Sequence, residues 1–330
     1  MIATTRRRLA ASVGAAIAAP ALLPSGVGLA AGSPRFGRSG PGVYRFALGA
    51  FEVTMLLDAA VMIDGPWPIV GEDRPREEIE RAMRENRLPA SRFRPGFTPV
   101  LVDTGRERVL FDAGNGDVGF VKRPAGGRLV ERLAEAGVGP EAIDRVVLTH
   151  GHTDHVGGLM VAGRPTFPNA AYAIGAAEYG FWSDEAQLSA PPDSYARLSA
   201  HVFRSHVMPL AGRLRRVAPG EEVAPGIHAL PAFGHTPGHL AFHVESEGRR
   251  MLIWGDCAHH EVASLAHPEW YALFDMDKAQ GAETRRRIYE MAATEDVVVA
   301  AYHTSFPSLG YVARAGTGYR WIPVSYQLDP

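Results

Sequence analysis

Cysteine is nearly absent from the sequence, since Cys257 is the single one among 330 residues. A lone cysteine cannot form an intramolecular disulfide, and we expect Cys257 to be buried and inert. A strong charge of one sign is also missing, because the net charge is −2. Without residues 1–30, whose only charges are three arginines, 31 Lys and Arg stand against 36 Asp and Glu. A mildly acidic body argues against a nucleic-acid partner.

Low-complexity tracts, internal repeats and Pro/Ser linkers are missing after residue 42. The sequence is 46% hydrophobic and 21% charged, which is typical of a chain that buries a large core and excludes disordered or collagen-like proteins. We therefore predict one continuous domain over residues 42–330, preceded by an extension over residues 31–41.

Residues 1–30 combine a basic start, an Ala/Gly-rich apolar run and a small-residue exit, which is the layout of an export signal. The segment around Arg6 and Arg7 resembles the twin-arginine signal of bacteria. We expect removal of this segment, a periplasmic or secreted location, and no stable membrane anchor in the mature protein. The alternative is an uncleaved anchor, but Pro20 and Pro24 make a poor membrane-spanning helix.

Apolar patterning predicts alternating strands and helices along the domain. Two strands around Gly49 and Ala50 form a hairpin signal. The predicted strands cover residues 43–48, 51–58, 98–103, 108–112, 145–149, 239–245, 251–254 and 297–301, and the predicted helices cover residues 74–86, 128–136, 176–182 and 279–292. Residues 60–72 contain Trp67 and Ile69, which are unusual in a solvated connection and indicate a lid or a partner contact.

Four potential metal ligands lie within six residues directly after a predicted strand: His150, His152, Asp154 and His155. Side chains two apart on an extended chain point the same way, so His150 and His152 can bind one ion. Asp154 and His155 begin the next turn and face another ion. Each ion needs about three ligands, so further ligands must come from distant strand ends, where the sequence offers His235, Asp256 and His303.

The pattern His-x-His-x-Asp-His followed by His, Asp and His resembles the metallo-β-lactamase fold superfamily. That resemblance implies an α/β fold, a four-layer αββα sandwich in which two mixed β-sheets are flanked by helices. It also implies two divalent metal ions per chain, and it assigns seven ligands: His150, His152 and His235 to the first ion, Asp154, His155 and His303 to the second, and Asp256 as a bridge. Asp112 matches the family's orienting carboxylate beside the site.

Further segments resemble methyl parathion hydrolase and related lactonases and esterases. They are YRFALGAFEVTMLLD at 44–58, GGLM at 157–160, FPNA at 167–170, His-x-Ser-Phe-Pro at 303–307, and GYR at 318–320 with PV at 323–324. The chain departs from that group after Asp256 and around residues 114–127, so the substrate stays open. Histidine and aspartate ligands suit zinc, although Mn, Fe and Co remain compatible.

A dinuclear centre predicts hydrolysis, because a hydroxide shared by two metal ions is a nucleophile near neutral pH. We expect Asp154 and Asp256 to act in catalysis as ligands, and His259 to donate a hydrogen bond to the substrate. No Gly-x-Ser-x-Gly elbow or phosphate-binding loop competes with this interpretation.

The predicted substrate is a small neutral ester or lactone, because aromatic residues are expected to line the pocket. The predicted pocket residues are Trp67, Phe181, Trp182, His259, Tyr271 and Phe274. Alternatives are an organophosphate (phosphotriester) hydrolase, a β-lactamase, or a metal-binding protein without activity. The Trp67 loop also offers a contact for a homodimer. We expect His239 to be structural.

Overall fold

The computed structural model describes residues 42–325, and the structural statements below concern that range. The predicted signal, the predicted extension up to residue 41 and residues 326–330 lie outside the described residues. Among the helices of residues 42–325, none has the length and apolar character needed to cross a membrane.

Twenty strands alternate with seven α-helices along the described chain. The strands are β1 Val43–Leu48, β2 Phe51–Leu56, β3 Ala59–Ala60, β4 Ile63–Asp64, β5 Arg92–Phe93, β6 Gly96–Phe97, β7 Val100–Asp103, β8 Arg108–Phe111, β9 Arg145–Leu148, β10 Met160–Val161, β11 Arg164–Pro165, β12 Ala171–Gly175, β13 Leu214–Val217, β14 Glu222–Ala224, β15 Ile227–Pro231, β16 Leu240–Ser246, β17 Arg249–Ile253, β18 Val298–Ala300, β19 Leu309–Ala315 and β20 Gly318–Pro323. The helices are α1 Arg76–Glu85, α2 Leu129–Glu135, α3 Thr153–Val156, α4 Ala176–Ser183, α5 Tyr195–His206, α6 Ala263–Ala266 and α7 Lys278–Glu295.

Two seven-stranded sheets dominate this arrangement. One has the order β1-β2-β7-β8-β9-β12-β13 and the other has the order β14-β15-β16-β17-β18-β19-β20. Both are mixed, because β8, β9, β12 and β13 pair in parallel within the first sheet, and β17 pairs in parallel with β18 within the second. Parallel neighbours end at the same edge, which brings the residues that follow β8, β9, β17 and β18 to common edges.

Alternation along the central strands builds the layers of the core. Val146 of β9 packs in the cluster that contains α2, α4 and α5, whereas the neighbouring Val147 packs between the two sheets. In β17, Leu252 packs in one cluster with Ile288 of α7, and Ile253 belongs to the layer between the sheets. Each central strand is therefore buried on both faces. The αββα sandwich expected from the sequence is confirmed.

The predicted elements are found with shifts of a few residues at their ends. The hairpin at Gly49 and Ala50 has the expected register, with Leu48 opposite Phe51. Helix α5, strand β12 and the terminal β19–β20 hairpin were not predicted. Helix α5 begins at a Ser194 side chain that accepts the backbone N–H of Arg197, a cap that local patterning did not single out.

Asp58 ties the end of β2 to the loop that follows β8. Its buried carboxylate accepts the backbone and side-chain N–H groups of Asn115, at 2.9 and 2.8 Å, and the backbone N–H of Leu129 at 2.8 Å. A buried carboxylate is tolerated only when donors surround it. Asp58 thus fixes the loop over residues 113–128 beside the edge where the candidate site lies.

Candidate metal centre

Four residues separate the end of β9 at Leu148 from the start of α3 at Thr153. His150 follows β9, and His152 keeps an extended backbone as the residue before α3. Asp154 and His155 then lie in the single turn of α3. This change in backbone direction turns the first two imidazoles and the last two side chains toward different neighbours, as the spacing predicted.

Donor atoms of the seven predicted ligands gather in two buried clusters. His150, His152, His235 and Asp256 form the first cluster, with donor atoms within 4.8 Å of one another. The second cluster obeys the same limit and contains Asp154, His155, Asp256 and His303. All seven residues are at most 9% exposed.

Asp256 belongs to both clusters, and its two oxygens together face histidines of both. Its Oδ2 atom lies 3.3 Å from His235 Nε2, and its Oδ1 atom lies 3.2 Å from His155 Nε2. His303 Nε2 is 3.1 Å from Oδ2. Because one carboxylate has two oxygens in a fixed plane, this placement suits a residue shared by two cations.

The chemistry of these donors fits metal ions. His150 Nε2, His155 Nε2 and Asp256 Oδ1 are buried without a hydrogen-bond partner among residues 42–325. Leaving such atoms unpaired costs about 1–3 kcal/mol each, so native proteins rarely do so without a ligand. Burial, together with the neighbouring histidines, holds the pKa of His150 and of His152 well below the usual value. Neutral imidazoles are the form that binds metal.

Asp112 orients the second cluster. Its Oδ2 atom accepts His155 Nδ1–H at 2.8 Å and the Thr149 hydroxyl at 2.9 Å, and its Oδ1 atom accepts the Thr149 backbone N–H at 2.8 Å. The Asp112 backbone has φ 62°, a left-handed conformation that costs a non-glycine residue about 1–3 kcal/mol. Strain of this kind persists only where surrounding contacts fix it, and here the result is a His155 ring with Nε2 facing Asp256.

Asp275 plays the corresponding part for His235. It accepts His235 Nδ1–H at 3.0 Å, and Arg285 forms a buried ion pair with its other oxygen. No sequence motif indicated this pair. Tyr195 was also missed, because helix α5 was not predicted. Its hydroxyl donates to Asp154 Oδ1 at 2.9 Å.

A cavity opens beside both clusters. Its lining residues are Ile63, Ile69, Phe93, Pro95, Phe97, Phe120, His152, Asp154, Tyr195, His235, Asp256, His259, Phe274 and His303. His259 and Phe274 were predicted pocket residues and lie in this lining. Both ring nitrogens of His259 are buried without a hydrogen-bond partner among the described residues. Burial, aided by His235, lowers the pKa of His259 to about 3, so the ring is neutral at pH 7.

Four other predicted pocket residues lie outside that lining. Trp182 is fully buried and donates its indole N–H to Glu178, so it supports His152 from behind at 5.8 Å between ring centroids. Phe181 packs against Trp182. Trp67 packs in a cluster with Ile79 of α1 and donates to the Arg74 carbonyl.

Tyr271, the fourth of these residues, is held by its backbone rather than placed in the cavity. Its N–H donates to Asp73 and its carbonyl accepts from Gly71. The apolar walls come instead from strands β4, β5 and β6 and from the segments that connect the elements; the residues are Ile63, Phe93 and Phe97 in the strands, and Ile69, Pro95, Phe120 and Phe274 in the connections.

Two residues expected to be structural have that character. His239 is fully buried and its Nε2 atom accepts the backbone N–H of Asp256 at 3.2 Å, so it supports the residue shared by the two clusters without joining either cluster. Cys257 is 3% exposed, and burial raises the pKa of its thiol. The Tyr289 hydroxyl donates to the Cys257 carbonyl at 2.6 Å.

Comparison with known proteins places this architecture among described families. The model of the metallo-beta-lactamase superfamily matches residues 98–303. An N-acyl homoserine lactonase of Bacillus sp is 27% identical over 213 residues, covering 62% of this chain and 76% of that protein. A ribonuclease of Thermus thermophilus is 31% identical over 196 residues, and this match covers 58% of the chain but only 42% of the ribonuclease.

Among solved structures, AidC, a dizinc quorum-quenching lactonase in complex with a product, superposes with a TM-score of 0.79. The two are 23% identical, and the match covers 86% of this chain and 98% of AidC. At that identity the likeness concerns the fold. With the family model spanning most of the domain and both halves of the ligand pattern, the chain belongs to the metallo-beta-lactamase superfamily and is a hydrolase of that fold.

Proposed function

We propose that this protein is a dinuclear metal-dependent hydrolase that cleaves small neutral esters or lactones. The observation that carries the proposal is the Asp256 carboxylate, shared between two buried clusters that open into one apolar cavity. His150, His152 and His235 would hold a first cation, Asp154, His155 and His303 a second, and Asp256 both. Two divalent cations there, zinc by the donor set, would polarise a carbonyl oxygen and lower the pKa of a water molecule that serves as nucleophile.

The surrounding carboxylates prepare the imidazoles for this task. Asp275 holds a proton on Nδ1 of His235, and Asp112 holds one on Nδ1 of His155. In each ring, Nε2 is then left without a proton, and its lone pair faces the cluster and can bind a metal ion. Partners of this kind fix the tautomer and the ring orientation of metal-binding histidines.

The cavity supports a neutral substrate. Its lining contains phenylalanine, isoleucine and proline side chains around the metal-binding residues, and neither lysine nor arginine is part of that lining. Highly charged substrates such as RNA need cationic contacts, which this lining lacks, and the net charge of the chain is slightly negative. The lactonase relative from Bacillus sp supports the same class of substrate.

His259 is proposed to contact the substrate directly. Its ring is buried in the cavity wall, Nε2 lies 3.8 Å from Asp256 Oδ2, and both nitrogens are without a protein partner among the described residues. An imidazole N–H in this place can donate a hydrogen bond to the carbonyl oxygen or to a departing alkoxide. His259 would therefore act on the same ester or lactone bond as the cations, through a hydrogen bond.

The experiment compares the wild-type protein with His259→Leu on lactones, aryl esters, methyl parathion and β-lactams, at matched metal content. We expect the wild type to hydrolyse lactones or aryl esters with the highest kcat/KM, and His259→Leu to lose roughly ten- to a thousandfold on them while phosphotriester hydrolysis falls less or rises. His201→Leu, at an exposed position of α5, is the control and should match the wild type. A wild-type preference for the phosphotriester, or equal losses on all substrates, would reject the role of His259.

An organophosphate hydrolase is the second candidate, because an aryl phosphotriester is also neutral and fits an aromatic lining as well as an ester does. A β-lactam carries a carboxylate, for which this lining offers no lysine or arginine. A metal-binding protein without activity is disfavoured, since a storage site needs no apolar cavity beside its ligands.

A further inference from the structure

A buried carboxylate outside both clusters connects the two loops that carry the histidines of the first cluster. Glu178 has no exposed surface. Its Oε1 atom accepts the backbone N–H of Gly151 and the indole N–H of Trp182, both at 2.7 Å. Its Oε2 atom accepts the Thr236 hydroxyl at 2.7 Å and the backbone N–H of Gly238 at 2.9 Å. Gly151 lies between His150 and His152, and Thr236 follows His235, so one side chain reaches both loops.

The position of Glu178 on its helix makes these bonds unusual. It is the third residue of α4, where a glutamate commonly bonds back to the first free N–H groups of its own helix. Here each oxygen accepts a backbone N–H from a different loop. Gly151 lies 27 positions from Glu178 in sequence, and Gly238 lies 60 positions from it. The carboxylate therefore serves the loops and not the helix end.

Close packing of α4 against both loops supports the same role. A Cβ atom added to Gly151 would lie 2.5 Å from Trp182 Cδ1, and one added to Gly238 would lie 2.0 Å from the Glu178 backbone nitrogen. Neither distance is tolerable, so each loop approaches the helix through a residue without a side chain. The glutamate and the two glycines together fix how far apart the loops lie.

We propose that Glu178 is a positioning residue that holds His150 and His152 at the correct distance from His235, and so sets the metal affinity of the first cluster. The inference rests on the proposed metal site. His152 Nδ1 and His235 Nε2 lie 2.9 Å apart although 83 positions separate them in sequence. Glu178 accepts from a backbone N–H in each of the two loops. The second cluster, with Asp154, His155 and His303, has no direct bond to Glu178.

Four donors surround Glu178, and each oxygen serves two of them. Glutamine has nearly the same size but replaces one oxygen by an NH₂ group, which is itself a donor. In Glu178→Gln one pair of donors therefore loses its acceptor, and one loop loses its connection to the helix. Thr236→Val is a milder variant, because it removes one of the four bonds and keeps the Gly238 bond.

The test measures zinc affinity rather than activity. Metal-free wild-type, Glu178→Gln and Thr236→Val proteins are titrated with zinc in competition with a chromophoric chelator, and circular dichroism checks that each is folded. The same variants are made in a His303→Ala background, which removes a ligand of the second cluster and leaves the first to be measured alone. Glu185→Gln is the control, since its side chain is 84% exposed in the same part of the chain.

We expect Glu178→Gln to weaken zinc binding at the first cluster about ten- to a hundredfold, Thr236→Val to weaken it less, and Glu185→Gln to match the wild type. The second affinity should change little. Equal affinities in folded Glu178→Gln and wild type would overturn the inference, as would equal losses at both clusters, which indicate a general structural role. A wild-type protein that binds fewer than two ions would instead reject the proposed function.

Discussion

The buried pair of Asp275 and Arg285 allows a quantitative prediction for Arg285→Met. The Arg285 guanidinium pairs with the Asp275 carboxylate and donates to the carbonyls of Trp270, at 2.8 Å, and Pro268, at 3.2 Å. Both charged residues are 3% exposed. Methionine keeps much of the side-chain length but leaves an unpaired carboxylate in the interior. Removal of one partner of a buried pair costs about 3–5 kcal/mol, so we expect a loss of that size in the free energy of unfolding.

The assay is urea unfolding of the metal-free protein, followed by tryptophan fluorescence and extrapolated linearly to water. Arg286→Met is a matched control, because the neighbouring arginine is exposed on the same helix and should change stability by about 0.5 kcal/mol or less. A double variant, Asp275→Asn with Arg285→Met, removes both charges at once. It should be more stable than the sum of the two single changes predicts, by about 0.5–3 kcal/mol.

A decrease of less than about 1 kcal/mol in the free energy of unfolding of Arg285→Met would refute the reasoning, because an unpaired buried carboxylate destabilises a protein by more than that. Additivity in the double variant would refute it too, since the two groups would then not interact. Zinc titration of the same proteins adds a functional measurement. A displaced Asp275 releases the His235 ring, and the first cluster should bind zinc more weakly.

Three further predictions concern other parts of the chain. Asp256→Ala should lower the metal content from two ions per chain and abolish hydrolysis, because one carboxylate serves both clusters; elemental analysis and kinetics test this, and unchanged activity would reject the assignment. Asp58→Ala should lower the free energy of unfolding in urea by about 3 kcal/mol or more, because three buried donors are left unpaired at about 1 kcal/mol or more each. A loss under about 1 kcal/mol would contradict that account. Replacing Arg6 and Arg7 by lysine should keep the mature-size protein out of the periplasmic fraction, and its unchanged presence there would exclude twin-arginine export.

The sequence contained the information for the central strands and for the seven residues of the two clusters. Each of these signals is local. Apolar runs such as Val146 to Leu148 predict a buried strand, and a ligand directly after the strand lies at the sheet edge. The pairing of β8 with β9 and of β17 with β18 then brings the edges together, as the family resemblance implied.

Three other supporting residues could not be found in the same way. Glu178, Asp275 and Tyr195 act through partners far away in sequence, and their own neighbours carry no motif. Four of the six predicted pocket residues lie outside the cavity lining for a related reason. Trp182 is as apolar as Phe274, but only tertiary packing determines that Trp182 lies behind His152 whereas Phe274 faces the cavity. Composition predicts that aromatic residues are present and not which way they face.

The burial of Cys257 has a practical consequence. Its thiol is both deep in the protein and held in the protonated form, while alkylating reagents need an accessible thiolate. Alkylation of Cys257 therefore requires that the segment next to Asp256 first open to solvent. Because the chain has one cysteine, the rate of thiol labelling in the unaltered protein measures the frequency of that opening, and no reporter group has to be introduced.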